Sequence, residues 1–310
     1  MTLLSGSPPS KTQMCFDDSS GPGDTPAARW DAEAGKRALD ELLTLTSAYV
    51  SSAAYMELLE FVSRFRFYSP FNAMLVHVQK PGSRFVASPS RWLKQYGRRI
   101  RPGAQALVIL RTMGPVMFVF DVSDTEGDPL PPRVENPFAV RCGQVGGELE
   151  RTIQNACRDG IRITKVRHGS QRAGSIGPTE SPGQFLQFGE KHQVPLRYEM
   201  LLNDNHSRES QYATLVHELA HLYCGHIGTP NEKWWPDRRG LPLEVQEFEA
   251  ESVAYLVCRR RGVDPKSDEY LSGYRKQGSD VPPISLACVM KVAGLIESSG
   301  REKLKPRKQP

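Results

Sequence analysis

Two histidines four residues apart, with a glutamate directly after the first, set the tightest constraint on this 310-residue chain: His217-Glu218-Leu219-Ala220-His221. In an α-helix positions i and i+4 share a face, so both imidazoles can reach one tetrahedral cation, and Glu218 lies beside the place of an attacking water. The fold must therefore supply a helix here and deliver a third ligand to it from elsewhere. Leu215, Val216, Leu219, Ala220 and Leu222 make that helix apolar enough to be buried, while Ser207 offers an N-cap and Glu209 an acidic first turn.

A second helix is predicted over Leu243 to Cys258, where Glu247, Ala250, Glu251 and Ala254 fall at i, i+3, i+4 and i+7 and form one stripe. The two alanines would let the histidine helix approach closely. Glu249 points about 160° away on the same wheel. Glu247 is the expected third ligand and Glu251, one turn on, the carboxylate that takes a proton from a ligand imidazole and fixes its ring; the exchange of those two roles is the alternative. Cys224 shares the face of His217 but lies roughly 7 Å beyond the cation along the axis, so it reads as a packed thiol. His226 turns off the ligand stripe and reads as a cap for the helix C-terminus.

Residues 217–221 and 247–254 resemble the ImmA/IrrE-type zinc metallopeptidases, whose pattern is His-Glu-x-x-His followed by a helix of the form Glu-x-Glu-Ala-x-x-x-Ala. That resemblance implies a zincin-like metallopeptidase domain of gluzincin type, with Zn2+ as cofactor and a helix and small twisted sheet ahead of the histidine helix. Leu149 to Cys157 reads as such a helix, and Ile161 to Val166 and Leu196 to Leu202 read as strands. By analogy with zincins, Tyr198 to Leu202 is the expected edge strand for an extended peptide substrate.

The first half carries a different signal. Between Phe61 and Phe120 there are ten Lys or Arg residues and no Asp or Glu. Arginines and lysines interleave there with Phe65, Phe67, Tyr68, Phe71, Phe85, Trp92 and Tyr96, a combination suited to tracking phosphates and stacking bases of single-stranded nucleic acid. The competing assignment places those aromatics in the core of a small α+β domain. Ser69-Pro-Phe-Asn72-Ala-Met-Leu75, Gln79-Lys-Pro81, Trp92, Gly97-Arg98, Gly103 and Val119-Phe-Asp-Val-Ser-Asp-Thr-Glu-Gly127 resemble the N-terminal domain of ArdC-like antirestriction proteins, over roughly residues 40–127. Asp124 stands where that family often has Gln. The resemblance implies single-stranded DNA binding, with Asn72, Arg91, Trp92, Lys94, Arg98, Arg99 and Arg101 as candidate contacts. It also implies the joining of such a module to a zincin-like domain. Acidic mimicry of DNA is excluded, because the chain carries a net charge of +5.

The expected architecture is α+β: a disordered arm over 1–28, an ArdC-like domain over 29–132, a zincin-like domain over 133–297 and a basic disordered tail over 298–310. Gly127-Asp-Pro-Leu-Pro-Pro-Arg133 marks the boundary, Gly169 to Gly183 reads as a polar loop, and Val289 to Ile296 as a last amphipathic helix. Cysteines at 15, 142, 157, 224, 258 and 288 have no close pairing and read as reduced thiols. Without a signal peptide or an apolar span, the chain is expected in the cytoplasm, away from membranes. The resulting expectation is a zinc metalloendopeptidase in which Glu218 is general base and then acid, acting on a regulatory or DNA-associated protein. Tyr223, Tyr255 and His226 are candidates to steady the oxyanion. The alternative is a non-catalytic single-stranded DNA binder of antirestriction type with a structural metal.

Overall fold

The computed structural model describes residues 49, 51–111, 114–131, 144–167, 173–265, 267, 271 and 280–307. The expected arm at 1–28, Cys15, Cys142 and the last two residues of the boundary segment, 132 and 133, lie outside them.

The architecture is α+β. In the first half α1 (Ser52–Arg64) and α2 (Pro70–Gln79) precede β1 (Val86–Ala87), α3 (Pro89–Tyr96), β2 (Arg98–Ile100), β3 (Leu107–Arg111), β4 (Gly114–Asp121) and β5 (Thr125–Gly127). Two Ser-Pro pairs start helices: the Ser69 and Ser88 hydroxyls accept from the backbone N–H of Asn72 and Arg91, and the proline in each first turn has its φ preset for a helix. Strands β1, β4 and β3 form an antiparallel sheet in that order, and β2 pairs with β5. Gly127 is needed in that second ladder, because its φ is 134° and a Cβ would lie 2.5 Å from the Gly97 carbonyl oxygen.

The second half contains α4 (Glu148–Ala156), β6 (Ile161–Val166), β7 (Gly174–Pro178), the hairpin β8 (Phe185–Phe188) and β9 (His192–Pro195), β10 (Tyr198–Asn203), and then α5 (Arg208–Tyr223), α6 (Leu243–Arg261) and α7 (Leu286–Arg301). The order β6-β10-β7 corrects two expectations. Strand β10 is central, parallel to β6 and antiparallel to β7, so Tyr198 to Leu202 is not the edge. The edges are β6 and β7, and β7 lies inside the stretch read as a loop. Gly174-Ser-Ile-Gly-Pro178 has little alternation of its own and becomes a strand through its pairing with β10.

The apolar core runs unbroken across the expected boundary at 132/133, joining α1, α2, β3 and β4 to α5, α6 and α7. Buried polar bonds make the same join. Tyr55 donates to Ser252 Oγ at 2.8 Å. Arg260, with its side chain 1% exposed, pairs with buried Glu297 at 2.6 Å. Its other nitrogens donate to the carbonyls of Val62, Phe65 and Tyr68, at the C-terminal end of α1 and just beyond. The first half thus leans on the second for part of its interior.

The tail also departs from expectation. Helix α7 runs on to Arg301, and the chain beyond it is held rather than solvated as far as Arg307. Asn155 donates to the Glu302 carbonyl and accepts from Leu304 N–H, and Arg307 pairs with Asp159 at 2.7 Å while its guanidinium lies over Trp234 and Trp235. A fully buried carboxylate at Asp159 gives the basic tail a docking point that composition does not reveal. Among the described residues no helix is long and apolar enough to cross a membrane.

Candidate metal centre

Ser207 caps α5 by accepting from Ser210 N–H, as the sequence predicts. Leu215, Val216, Leu219 and Leu222 are at most 1% exposed, each burial being worth about 1.5–3 kcal/mol, so one face of α5 is fixed in the core. That leaves His217, Glu218 and His221 partly exposed on the other side, facing α6.

The imidazole Nε2 atoms of His217 and His221 stand 3.1 Å apart, and the two Glu247 oxygens lie 3.7 Å from His217 Nε2 and 3.5 Å from His221 Nε2. Ligands at about 2.05 Å from a tetrahedral zinc would be separated by roughly 3.3 Å, so the donor set fits that ion in both chemistry and spacing. Glu251 lies 3.5 Å from His217 Nδ1, behind the ring, whereas Glu247 faces the gap between the rings.

The protons behind the rings can be followed. Glu249 is fully buried and accepts from His226 Nε2 at 2.9 Å, from both terminal nitrogens of Arg238 at 2.6 and 2.7 Å, and from Ser285 N–H at 2.7 Å. Burial alone would lift its carboxyl, but these donors outweigh that and hold it below the usual range. Burial pushes His226 down, favouring the neutral ring. A neutral His226 that donates through Nε2 must accept through Nδ1, and His221 Nδ1 is 3.1 Å away. His221 then carries its proton on Nδ1 and turns a bare Nε2 to the centre; Glu251, 3.5 Å from His217 Nδ1, is placed on that ring's proton side in the same way. Three lone-pair donors thus converge on one point.

Glu249, His226 and Arg238 are what the sequence reading missed. The 160° rotation of Glu249 from Glu247 is correct, and on a helix with a polar face that direction would mean solvent. The signal against that was the lack of a polar face: Phe248, Ala250, Val253, Ala254, Leu256 and Val257 surround the helix, and all are buried. His226 is no simple helix cap either. Nor do the oxyanion candidates reach the centre: Tyr223 donates to Asp159 at 2.8 Å, Tyr255 is 1% exposed in the core, and His226 is committed to Glu249 and His221. Cys224 is a buried thiol, as expected.

Glu218 lines a cleft of about 710 Å³ together with Gly174 of β7, Thr214, His217 and Glu251. Burial lifts its carboxyl above the usual range, opposed by His221 and by a hydrogen bond from the Ile176 backbone. Gly174 permits this approach of strand to helix, since a Cβ there would lie 2.6 Å from Thr214 Cγ2.

The seven candidate nucleic-acid contacts divide. Trp92 is fully buried and donates to the Phe120 carbonyl at 2.9 Å. Asn72 exchanges two bonds with the backbone of Leu110, at 3.0 and 2.9 Å. Arg98 commits its guanidinium to Thr125 and to the carbonyls of Gly127 and Asp128. Those three tie the first half together and do not offer free groups to bases, a correction to the expectation. An amide, an indole or a guanidinium suits a backbone edge as well as a base edge, and sequence cannot separate the uses. Arg91 bonds Gln95 and lies 6.0 Å from the Phe85 and Tyr96 rings. Lys94, Arg99 and Arg101 are exposed on α3, β2 and the turn after it, as is Arg84 nearby in sequence.

Residues 182–258 match the Peptidase_M78 family model, the IrrE N-terminal-like domain. This IrrE-like stretch holds α5 and most of α6, and with them all three candidate ligands, Glu218 and Glu249. An uncharacterized protein of Bacillus anthracis is 23% identical over 299 residues, covering 80% of this chain; the chain spans 48% of that relative's length. Two crystal structures of the antirestriction protein ArdC from plasmid R388 are also similar. The metal-free one has 16% identity and a TM-score of 0.35, covering 76% of this chain and 83% of that one. The Mn(II)-bound one has 15% identity and a TM-score of 0.40, covering 87% and 98%.

Proposed function

We propose that this chain is a zinc-dependent endopeptidase in which His217, His221 and Glu247 hold the ion. The observation that carries the reading is the convergence of His217 Nε2, His221 Nε2 and the Glu247 carboxylate within 3.1 to 3.7 Å of one another, beside a glutamate that lines a cleft. Zinc, when bound, supplies the Lewis acidity that makes water nucleophilic and polarises the scissile carbonyl. The chain's own residues do the rest. An extended substrate adds to the outer edge of β7, which among the described residues pairs only with β10, and main-chain bonds there align its carbonyl with the cleft. Glu218 takes a proton from the attacking water and returns it to the departing amine. Burial raises its carboxyl, the direction that suits a group holding the proton between those two transfers.

A second module accompanies the first: Lys94, Arg99, Arg101 and Arg84 form a set of exposed cations for the phosphates of single-stranded DNA, which would hold the peptidase near a DNA-associated protein substrate in the cytoplasm. The rival is a non-catalytic DNA binder with a structural metal. Glu218→Gln separates the two. On the peptidase reading the variant keeps its zinc and DNA affinity but abolishes the protein fragments that mapping of new N-termini finds in cells making the wild type. Identical N-termini in both strains would refute catalysis. A salt series with labelled single strands tests the DNA module, and an affinity that does not fall as salt rises would remove it.

A further inference from the structure

The cleft that Glu218 lines continues past the metal centre, and the chemistry above uses only one end of it. It follows α5 back to Glu209 in that helix's first turn, nine residues before Glu218 and roughly 13 Å away along the axis. Asp264 and Pro265, in the segment after α6, line it as well. Four carboxylates, those of Glu209, Glu218, Glu251 and Asp264, thus share one cleft, and no Lys or Arg stands among the described residues that line it. The sign is local, since the chain as a whole carries a net charge of +5. Glu218 and Glu251 are engaged at the metal centre, whereas Glu209 and Asp264 are not. Arg208, beside Glu209, spends its guanidinium on Glu150 and on the carbonyls of Val145 and Gly146. Asp264 pairs with Arg259 at 3.0 Å, but its side chain is 79% exposed, so its charge stays open to a second cation.

We propose that this cleft selects peptides bearing a lysine or arginine, whose cationic head is taken by Glu209 and Asp264. Ala213, Thr214 and Pro265 give the methylene stem of such a side chain apolar surface to lie on, while the head stays at the solvated end. A glutamate or aspartate at the same place would meet like charges, so the lining rejects as well as attracts. The path of the peptide rests on the peptidase reading. A substrate strand paired to the free side of β7 passes Gly174, and Gly174 is itself part of the cleft wall, so the strand enters the cleft as it leaves the sheet. At about 3.3 Å per extended residue, the span from Glu218 to Glu209 is about four residues. Allowing for the reach of the side chain, the basic residue sits about two to four positions from the scissile bond on that side.

Binding tests this without turnover. The probes are three fluorescein-labelled peptides of alanine and tyrosine in which every third position is Lys, Gln or Glu, and anisotropy reads their affinity for the full-length, zinc-loaded Glu218→Gln chain. The Lys peptide should bind about five- to tenfold tighter than the Gln peptide and the Glu peptide weakest, with the spread narrowing as salt rises. The chain's overall positive charge would produce the opposite order, so this order has to come from the cleft. Adding Glu209→Lys and Asp264→Lys together should invert it. If that reversal unsettles the fold, Glu209→Gln with Asp264→Asn should instead draw the three affinities together. Equal affinities for the Lys and Gln peptides, or an order that neither double variant alters, overturn the proposal. The chain with Glu218 intact then separates the two readings. A Lys peptide bound with this selectivity but never cut refutes the peptidase and upholds the cleft's preference, whereas cutting of the Gln and Lys peptides at equal kcat/KM overturns the preference and upholds the peptidase.

Discussion

Changing Glu249 to Gln alters no proposed ligand, yet it should weaken zinc binding, and the reason lies in proton placement. The carboxylate accepts from His226, Arg238 and Ser285 N–H on every side. An amide has one acceptor oxygen. If that oxygen stays with Ser285 N–H and one Arg238 nitrogen, the NH2 group faces His226 Nε2, which must then become an acceptor. The His226 proton moves to Nδ1, opposite His221 Nδ1 at 3.1 Å. His221 can accept there only by carrying its own proton on Nε2, the atom meant for the metal. Loss of such outer support typically weakens metal binding 10–100-fold, about 1.4–2.7 kcal/mol. Competition against a chromophoric chelator measures it directly. Glu249→Gln also leaves Arg238 underpaired, so the metal-free melting temperature must be recorded alongside. His226→Leu cuts the same relay with the Arg238–Glu249 pair intact. The reasoning is refuted if both variants, folded when metal-free, bind zinc within about twofold of the wild type.

Glu251→Gln should cause a loss of zinc affinity of the same order through His217, whereas Glu244→Gln, on the exposed start of α6, should leave the chelator titration unchanged. Arg260→Met removes the buried partner of Glu297 and three carbonyl bonds to residues 62–68, and should destabilise the chain by about 3–5 kcal/mol in urea unfolding. If the first half were packed on its own, the cost would fall below about 1 kcal/mol. Arg307→Ala takes the tail off Asp159 and should cost about 1–3 kcal/mol, with protease cleavage after residue 301 becoming faster; equal cleavage rates would show that the tail is not held. Replacing Lys94, Arg99 and Arg101 together by Ala should flatten the salt dependence of single-strand binding, while Trp92→Ala should instead lower the melting temperature.

Much of the centre was legible because a helix converts sequence spacing into direction. His217 and His221 share a face at i and i+4, and Glu247, Ala250 and Glu251 share another on α6, whatever surrounds them. The wheel says nothing about what each other face meets. The wheel turned Glu249 correctly, but it could not show that α7 and Arg238 cover it. Strand β7 was invisible for a related reason: Gly174 to Pro178 takes its structure from β10 across the sheet, and no local period announces a partner-made strand.

Local chemistry in the chain therefore determined the helix that carries His217, Glu218 and His221, the carboxylates one helix later, and the positive character of residues 61–120, since each depends on neighbours within a turn or two. Which strand forms the edge, which cations are left free to meet a ligand, and which buried groups set the proton on His221 were decided by contacts between residues far apart in sequence. Glu249 and His226 are 23 residues apart, and Arg260 and Val62 are 198 apart. A hydrogen bond at such separation is created by packing, because only the assembled core fixes where its two ends lie.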